Sequence, residues 1–133
     1  MGHCPLMKSN PLILLIDDSA EIIGTLNKFL NEAGYQVMTA SNGLEGLNLL
    51  EAKHEQIDLM ITDLVMPHVS GVGVIAIAKK KYPHIPIIAI TGWGEYPEAL
   101  ASEAHADTVL EKPFELKALK AAILHFLGEK PSD

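Results

Sequence analysis

Three carboxylates, a hydroxyl and an ammonium stand where this chain could bring them together: Asp17 and Asp18, Asp63, Thr91, and Lys112. Each lies at or just past the end of a short apolar run, so that one sheet could gather all five at one edge. Like charges packed so closely repel and raise one another's pKa unless a cation joins them. An oxygen-only set containing carboxylates suits Mg²⁺. With such an ion present, a carboxylate can attack an electrophilic phosphorus, while metal and lysine together neutralise the equatorial oxygens. The product is an aspartyl phosphate. Asp63 is central and is the candidate nucleophile, whereas Asp17 and Asp18 adjoin a helix start and are better placed to hold the ion. Thr91 would donate a hydrogen bond to a phosphoryl oxygen.

The elements that must position these groups alternate. Leu12 to Ile16 is a continuous apolar run, as expected of a strand buried on both faces. A helix follows from Ser19 to Ala33, with Ile22, Leu26, Phe29, Leu30 and Ala33 at helical spacing, Asp18 or Ser19 as cap and Gly34 as stop. Tyr35 to Ala40 reads as a second strand, and Asn42 with Glu45 opens a helix to about Ala52 as a capping box. Ile57 to Thr62 is a third strand, then a loop over Asp63 to Ser70 and a helix from Gly71 to Lys81. Pro86 to Thr91 is a fourth strand, with a short helix predicted between Tyr96 and Ala104. A fifth strand covers Thr108 to Glu111, and a last helix runs from Glu115 to Leu127, with Leu116, Leu119, Ile123 and Phe126 facing inward. Five such β-α pairs imply a parallel sheet with right-handed crossovers, a doubly wound α/β sandwich. In such folds ligands bind beyond the carboxyl ends of the strands, where the winding direction changes.

On these residues the chain resembles the receiver domains of response regulators in two-component signalling, over Leu12 to about Leu127. The matching motifs are Asp17-Asp18, Asp63-Leu64-Val65-Met66-Pro67 with Gly71 beyond, Thr91-Gly92, and Lys112-Pro113-Phe114. Each is weak alone and together they are specific. The resemblance implies a flavodoxin-like three-layer sandwich, strand order 2-1-3-4-5. It implies Asp63 as phosphoacceptor, Asp18 and Asp63 as direct Mg²⁺ ligands, Asp17 as a ligand through water, and the Val65 backbone carbonyl as a further ligand. Lys112 would pair with the phosphoryl group, and its bond to Pro113 would be cis. The donor would be a sensor histidine kinase or a histidine phosphotransfer protein. The recipient of the signal would be a downstream effector or an output domain. The domain would catalyse its own phosphorylation and slow dephosphorylation. Two positions depart from the family's habit: Val109 stands where an aromatic switch residue is usual, and His105 where glycine is usual. A stiff valine cannot make the inward swing of an aromatic ring.

Composition narrows the alternatives. The 133 residues fit one domain, taken as 11–129, between a tail over 1–10 (native or an expression remnant) and a tail over 130–133. Either a stand-alone regulator or a receiver cut from a larger protein is compatible with this length. A net charge of -7 and the absence of a basic block beyond Lys79-Lys80-Lys81, which suits a helix C-terminus, argue against direct nucleic-acid binding. The sole cysteine, Cys4, excludes an internal disulfide, and no apolar run is long enough for a membrane span, so a cytoplasmic location is expected. The six histidines show no metal-ligand spacing. A phosphatase of the aspartyl-phosphate hydrolase type would want a second Asp at Val65. A flavin carrier would not place Asp17-Asp18 against a phosphate. A receiver acting as an interaction module without phosphorylation stays open on sequence alone.

Overall fold

The computed structural model describes residues 10–64, 71–91 and 106–128. Five parallel strands, β1 (Leu12–Ile16), β2 (Gln36–Ala40), β3 (Ile57–Asp63), β4 (Ile87–Thr91) and β5 (Thr108–Glu111), form one sheet in the order β2-β1-β3-β4-β5. Among the described residues four helices flank it: α1 (Ala20–Glu32), α2 (Gly43–Lys53), α3 (Gly71–Lys81) and α4 (Leu116–Leu127). This is the expected doubly wound, flavodoxin-like three-layer sandwich. The short helix predicted over Tyr96–Ala104 lies outside the described residues, as do His105 and the segment 65–70.

Strand pleating explains the layers, because successive side chains leave the sheet on opposite faces. Leu14, Ile16, Met60, Ile87 and Ala89 point to the layer of α2 and α3, where Leu50, Val74, Ile75 and Ala78 meet them. Ile13, Leu15, Leu59, Ile61, Ile88 and Ile90 face Leu26 and Leu30 of α1 and Leu119 and Ile123 of α4. The predicted inward residues of α4 are thus correct, with Leu116 and Phe126 packed at the margin of that core. Val109 is partly buried against the α2–α3 layer. Each fully buried Leu or Ile contributes about 2–3 kcal/mol, so the two layers together outweigh a few kcal/mol of charge repulsion concentrated at one edge.

Local signals set the element ends. Ser19 Oγ accepts the Ile22 N–H at 3.2 Å and caps α1, and Gly34 follows the helix with φ of 98°, a conformation that costs glycine little. Asn42 caps α2 by accepting from the Glu45 N–H at 2.8 Å. Its partner departs from a capping box: Glu45 reaches back to the backbone N–H and hydroxyl of Ser41, one residue earlier than the cap. Asp63, expected in a loop, is the last residue of β3. The ladder continues past Thr62, with Asp63 opposite Ile90 and the Leu64 N–H donating to the Ile90 carbonyl at 2.9 Å.

At the opposite edge of the sheet two aspartates tie strand beginnings together. The register between β1 and β3 slips at Asp58, and the Asp58 carboxylate accepts the Leu12 N–H at 2.9 Å. Asp107 accepts the Ile87 N–H at 2.8 Å while pairing with Lys79 of α3 at 2.6 Å. In both places a carboxylate does for a backbone N–H what a ladder carbonyl would otherwise do.

Candidate functional site

The carboxyl ends of β1, β3, β4 and β5 deliver the five residues to one place. Asp17 follows β1 and is almost fully buried; its N–H donates to the Ala40 carbonyl of β2, and its Oδ1 accepts the Ser19 N–H at 2.9 Å. One side chain therefore both closes the loop into α1 and presents its second oxygen to the site. Asp18, next in the chain, is exposed. Asp63 ends β3 with 6% of its surface accessible. Carboxylate oxygens of Asp17, Asp18 and Asp63 all lie within 4.8 Å of one another. The Lys112 ammonium enters from beyond β5, 3.8 Å from Asp17 Oδ2 and 3.8 Å from Asp63 Oδ2. Its backbone is fixed by the Lys112 N–H donating to the Thr91 carbonyl at 2.8 Å, and the bond to Pro113 is cis. Thr91 is fully buried, and among the described residues its hydroxyl has no hydrogen-bond partner. Val65 lies outside the described residues.

The electrostatics follow from this crowding. Burial holds the Asp17 carboxyl above the usual carboxylate range, and the neighbouring Asp18 adds to the effect; the Ser19 N–H and the Lys112 charge oppose it without cancelling it. Among the described residues the buried Asp17 Oδ2 has no hydrogen-bond partner. An all-oxygen donor set with one unsatisfied buried carboxylate oxygen fits a hard divalent cation such as Mg²⁺.

A group whose folded pKa is raised contributes stability below its unfolded pKa of about 3.8 and loses it as pH rises through the folded value, so at neutral pH ionised Asp17 is a liability. Asp17→Asn keeps an oxygen for the Ser19 N–H and removes the charge. In the presence of a chelator the variant is expected to be more stable than the parent at pH 7, with the difference shrinking near pH 4. Denaturant melts at the two pH values check this, and a variant less stable at pH 7 contradicts it.

Two residues near the site owe their importance to proximity that the sequence does not display. Gly71 opens α3 with its N–H donating to the Leu64 carbonyl at 2.9 Å, and its Cα lies against the backbone of Asp63. Gly71 belongs to the motif quoted above, but its reason is this contact. Thr62, wholly buried in β3, donates its hydroxyl to the Asp63 carbonyl at 3.0 Å. The only hint in the sequence is a lone hydroxyl within an apolar run. Beside Lys112 a cavity of about 350 Å³ opens between α1 and the start of α4, lined by Ile22, Leu26, Phe114 and Leu116 among others.

Comparison with known proteins agrees with the geometry. Residues 13–124 match the model of the response regulator receiver domain. The chain is 37% identical over 112 residues to the transcriptional regulatory protein GlrR of Escherichia coli K12, covering 84% of this chain and 25% of that protein. It is 31% identical over 128 residues to the sensor kinase CckA of Brucella abortus, covering 94% of this chain and 13% of that one. The chain thus spans a quarter or less of these two relatives. Among solved structures, a receiver domain protein of Clostridium thermocellum superposes with a TM-score of 0.83 at 35% identity, covering 88% of this chain and 94% of the other. The regulator TrrA of Thermotoga maritima, solved with Mg²⁺ and beryllofluoride, superposes at 0.80 with 35% identity, covering 88% and 99%.

Proposed function

From the premise that this chain belongs to the response regulator receiver domain family, we propose that Asp63 accepts a phosphoryl group in a Mg²⁺-dependent reaction and so switches the domain's conformation. The observation that carries this reading is the convergence of Asp17, Asp18 and Asp63 within 4.8 Å, with Lys112 3.8 Å from two of them. The receiver unit would span 11–129.

In the reaction one Asp63 carboxylate oxygen forms a bond to phosphorus as the bond from phosphorus to the donor's leaving group breaks, and the electron pair departs with that group. Asp63 reacts as the anion, so no base has to remove a proton from it. Asp17, Asp18 and Asp63, with the Val65 carbonyl, would hold Mg²⁺, which when bound neutralises charge on the phosphoryl oxygens. Lys112 would supply positive charge from the other side, and Thr91, whose buried hydroxyl has no partner among the described residues, would donate to a phosphoryl oxygen. Positioned residues accelerate such transfer chiefly by orientation and by charge already in place. The same groups would accelerate the slow dephosphorylation, in which water attacks phosphorus and the Asp63 carboxylate leaves.

The donor would be a sensor histidine kinase or a histidine phosphotransfer protein. The signal would pass to an effector or to an output domain by a shift in population between two conformations of the β4–β5 side. Among the described residues no helix is long and apolar enough to cross a membrane, and a cytoplasmic location accords with a kinase donor.

The test is incubation of the protein with acetyl phosphate, with Mg²⁺ and with excess chelator, followed by intact mass. One added phosphoryl group in the Mg²⁺ sample alone is expected. An unshifted mass in both samples overturns the reading.

A further inference from the structure

Resting on that reading, we infer that Thr62 is a positioning residue for the phosphoryl-transfer step, acting through the main chain of Asp63. Thr62 is fully buried, and its hydroxyl donates to the carbonyl of the next residue, Asp63, at 3.0 Å. That carbonyl is also the group against which the Gly71 Cα is packed. The peptide joining Asp63 to Leu64 is therefore held by a hydroxyl from β3 and by the start of α3. Further along the same short stretch, the Leu64 N–H is fixed to Ile90 and the Leu64 carbonyl to the Gly71 N–H.

The purpose of such restraint is geometric. Asp63 ends its strand, where one side of the ladder is running out, and its carboxylate must stay within about 0.5 Å of a productive approach for orientation to accelerate transfer. With Leu64 held in place, fixing the Asp63 carbonyl fixes ψ at Asp63, and with it the direction in which its side chain leaves the end of the strand. The residues that share Thr62's place across the sheet, Ile16 and Ala89, are apolar, as are Met60 and Leu64 on the same face of the strand. A valine would fill the space as well as a threonine. The hydroxyl is thus the one part of this side chain that the packing does not explain. A hydroxyl in an apolar layer has a desolvation cost that a single hydrogen bond barely offsets.

The experiment compares wild type with Thr62→Val, which removes the hydroxyl at constant shape, and with Thr62→Ser, which keeps it. Phosphorylation by acetyl phosphate is followed by intact mass at saturating Mg²⁺, beside the Mg²⁺ concentration for half-maximal rate and the melting temperature. Thr62→Val is expected to melt within about 4 °C of wild type and to keep its Mg²⁺ requirement within about twofold. Its rate constant should fall roughly tenfold, the factor that about 1.4 kcal/mol represents. Thr62→Ser should recover most of the rate. Should Val fail to fold, Thr62→Ser against Thr62→Ala puts the same question at smaller volume. A Val variant as fast as wild type, or a Ser variant as slow as Val, overturns the inference while leaving Asp63 phosphorylation standing. A wild type that takes up no phosphoryl group removes both.

Discussion

Asp63→Asn is expected to give a folded protein that takes up no phosphoryl group from acetyl phosphate. The amide matches the carboxylate in shape, so the end of β3 and its bond from the Leu64 N–H to Ile90 should persist. What disappears is the nucleophile: a neutral amide has no anionic oxygen to attack phosphorus, and no other carboxylate occupies the end of the central strand. The neighbours Asp17 and Asp18 do not substitute, because Asp17 uses one oxygen to hold the Ser19 N–H and Asp18 faces solvent. Loss of a nucleophile that works with a fixed charge partner should reduce the rate by at least about a thousandfold. Lys112 keeps Asp17 as a partner at 3.8 Å, so the variant should not leave a stranded ammonium. Intact mass and a thermal melt on the same sample decide the matter. A variant that is phosphorylated to the wild-type extent would place the acceptor elsewhere.

Gly71→Ala is expected to damage both fold and chemistry. A Cβ at this position would lie deep inside the van der Waals radius of the Asp63 carbonyl oxygen and 2.7 Å from both the Asp63 carbonyl carbon and the Leu64 Cα. These are backbone atoms, so no rotamer change can relieve the overlap, and either the start of α3 or the end of β3 must move. Val74, Ile75 and Ala78 of that helix are fully buried, and displacing it opens the layer they fill. Stability should fall by about 2–4 kcal/mol, and the melting temperature by roughly 10 °C or more. The residual folded protein should also be phosphorylated more slowly, because the displaced carbonyl belongs to Asp63. Rates corrected for the folded fraction test this. A variant of wild-type stability would show that the close approach is not required.

The contrast between these two residues marks how far the sequence could be read. Asp63 was legible because chemistry collects at strand ends, and strand ends are visible where an apolar run meets a charge. The helices were legible for the same kind of reason: Ser19, Asn42 and Gly34 are local signals, and local signals survive in one dimension. Gly71 appeared as part of a motif, yet the need for glycine there is a distance between segments that only folding brings together. In the sequence Thr62 is one more strand residue, since nothing local tells a hydroxyl that holds a neighbour's carbonyl from one that fills space. The slipped register at Asp58 and the tie from Asp107 to Ile87 and Lys79 likewise depend on which strands become neighbours. The misplaced end of β3 had a simple cause: an aspartate usually signals a turn, and here the ladder to β4 outlasts the apolar run.

Lys112 stands as far from Asp17 as from Asp63, and neither distance is that of a close hydrogen bond. An ammonium shared between two carboxylates has no close hydrogen bond to surrender when negative charge beside it changes owner. Its long, flexible stem lets it follow that charge at little reorganisation cost, so in the proposed transfer the cation would act as a travelling counterweight where a locked ion pair would be a brake.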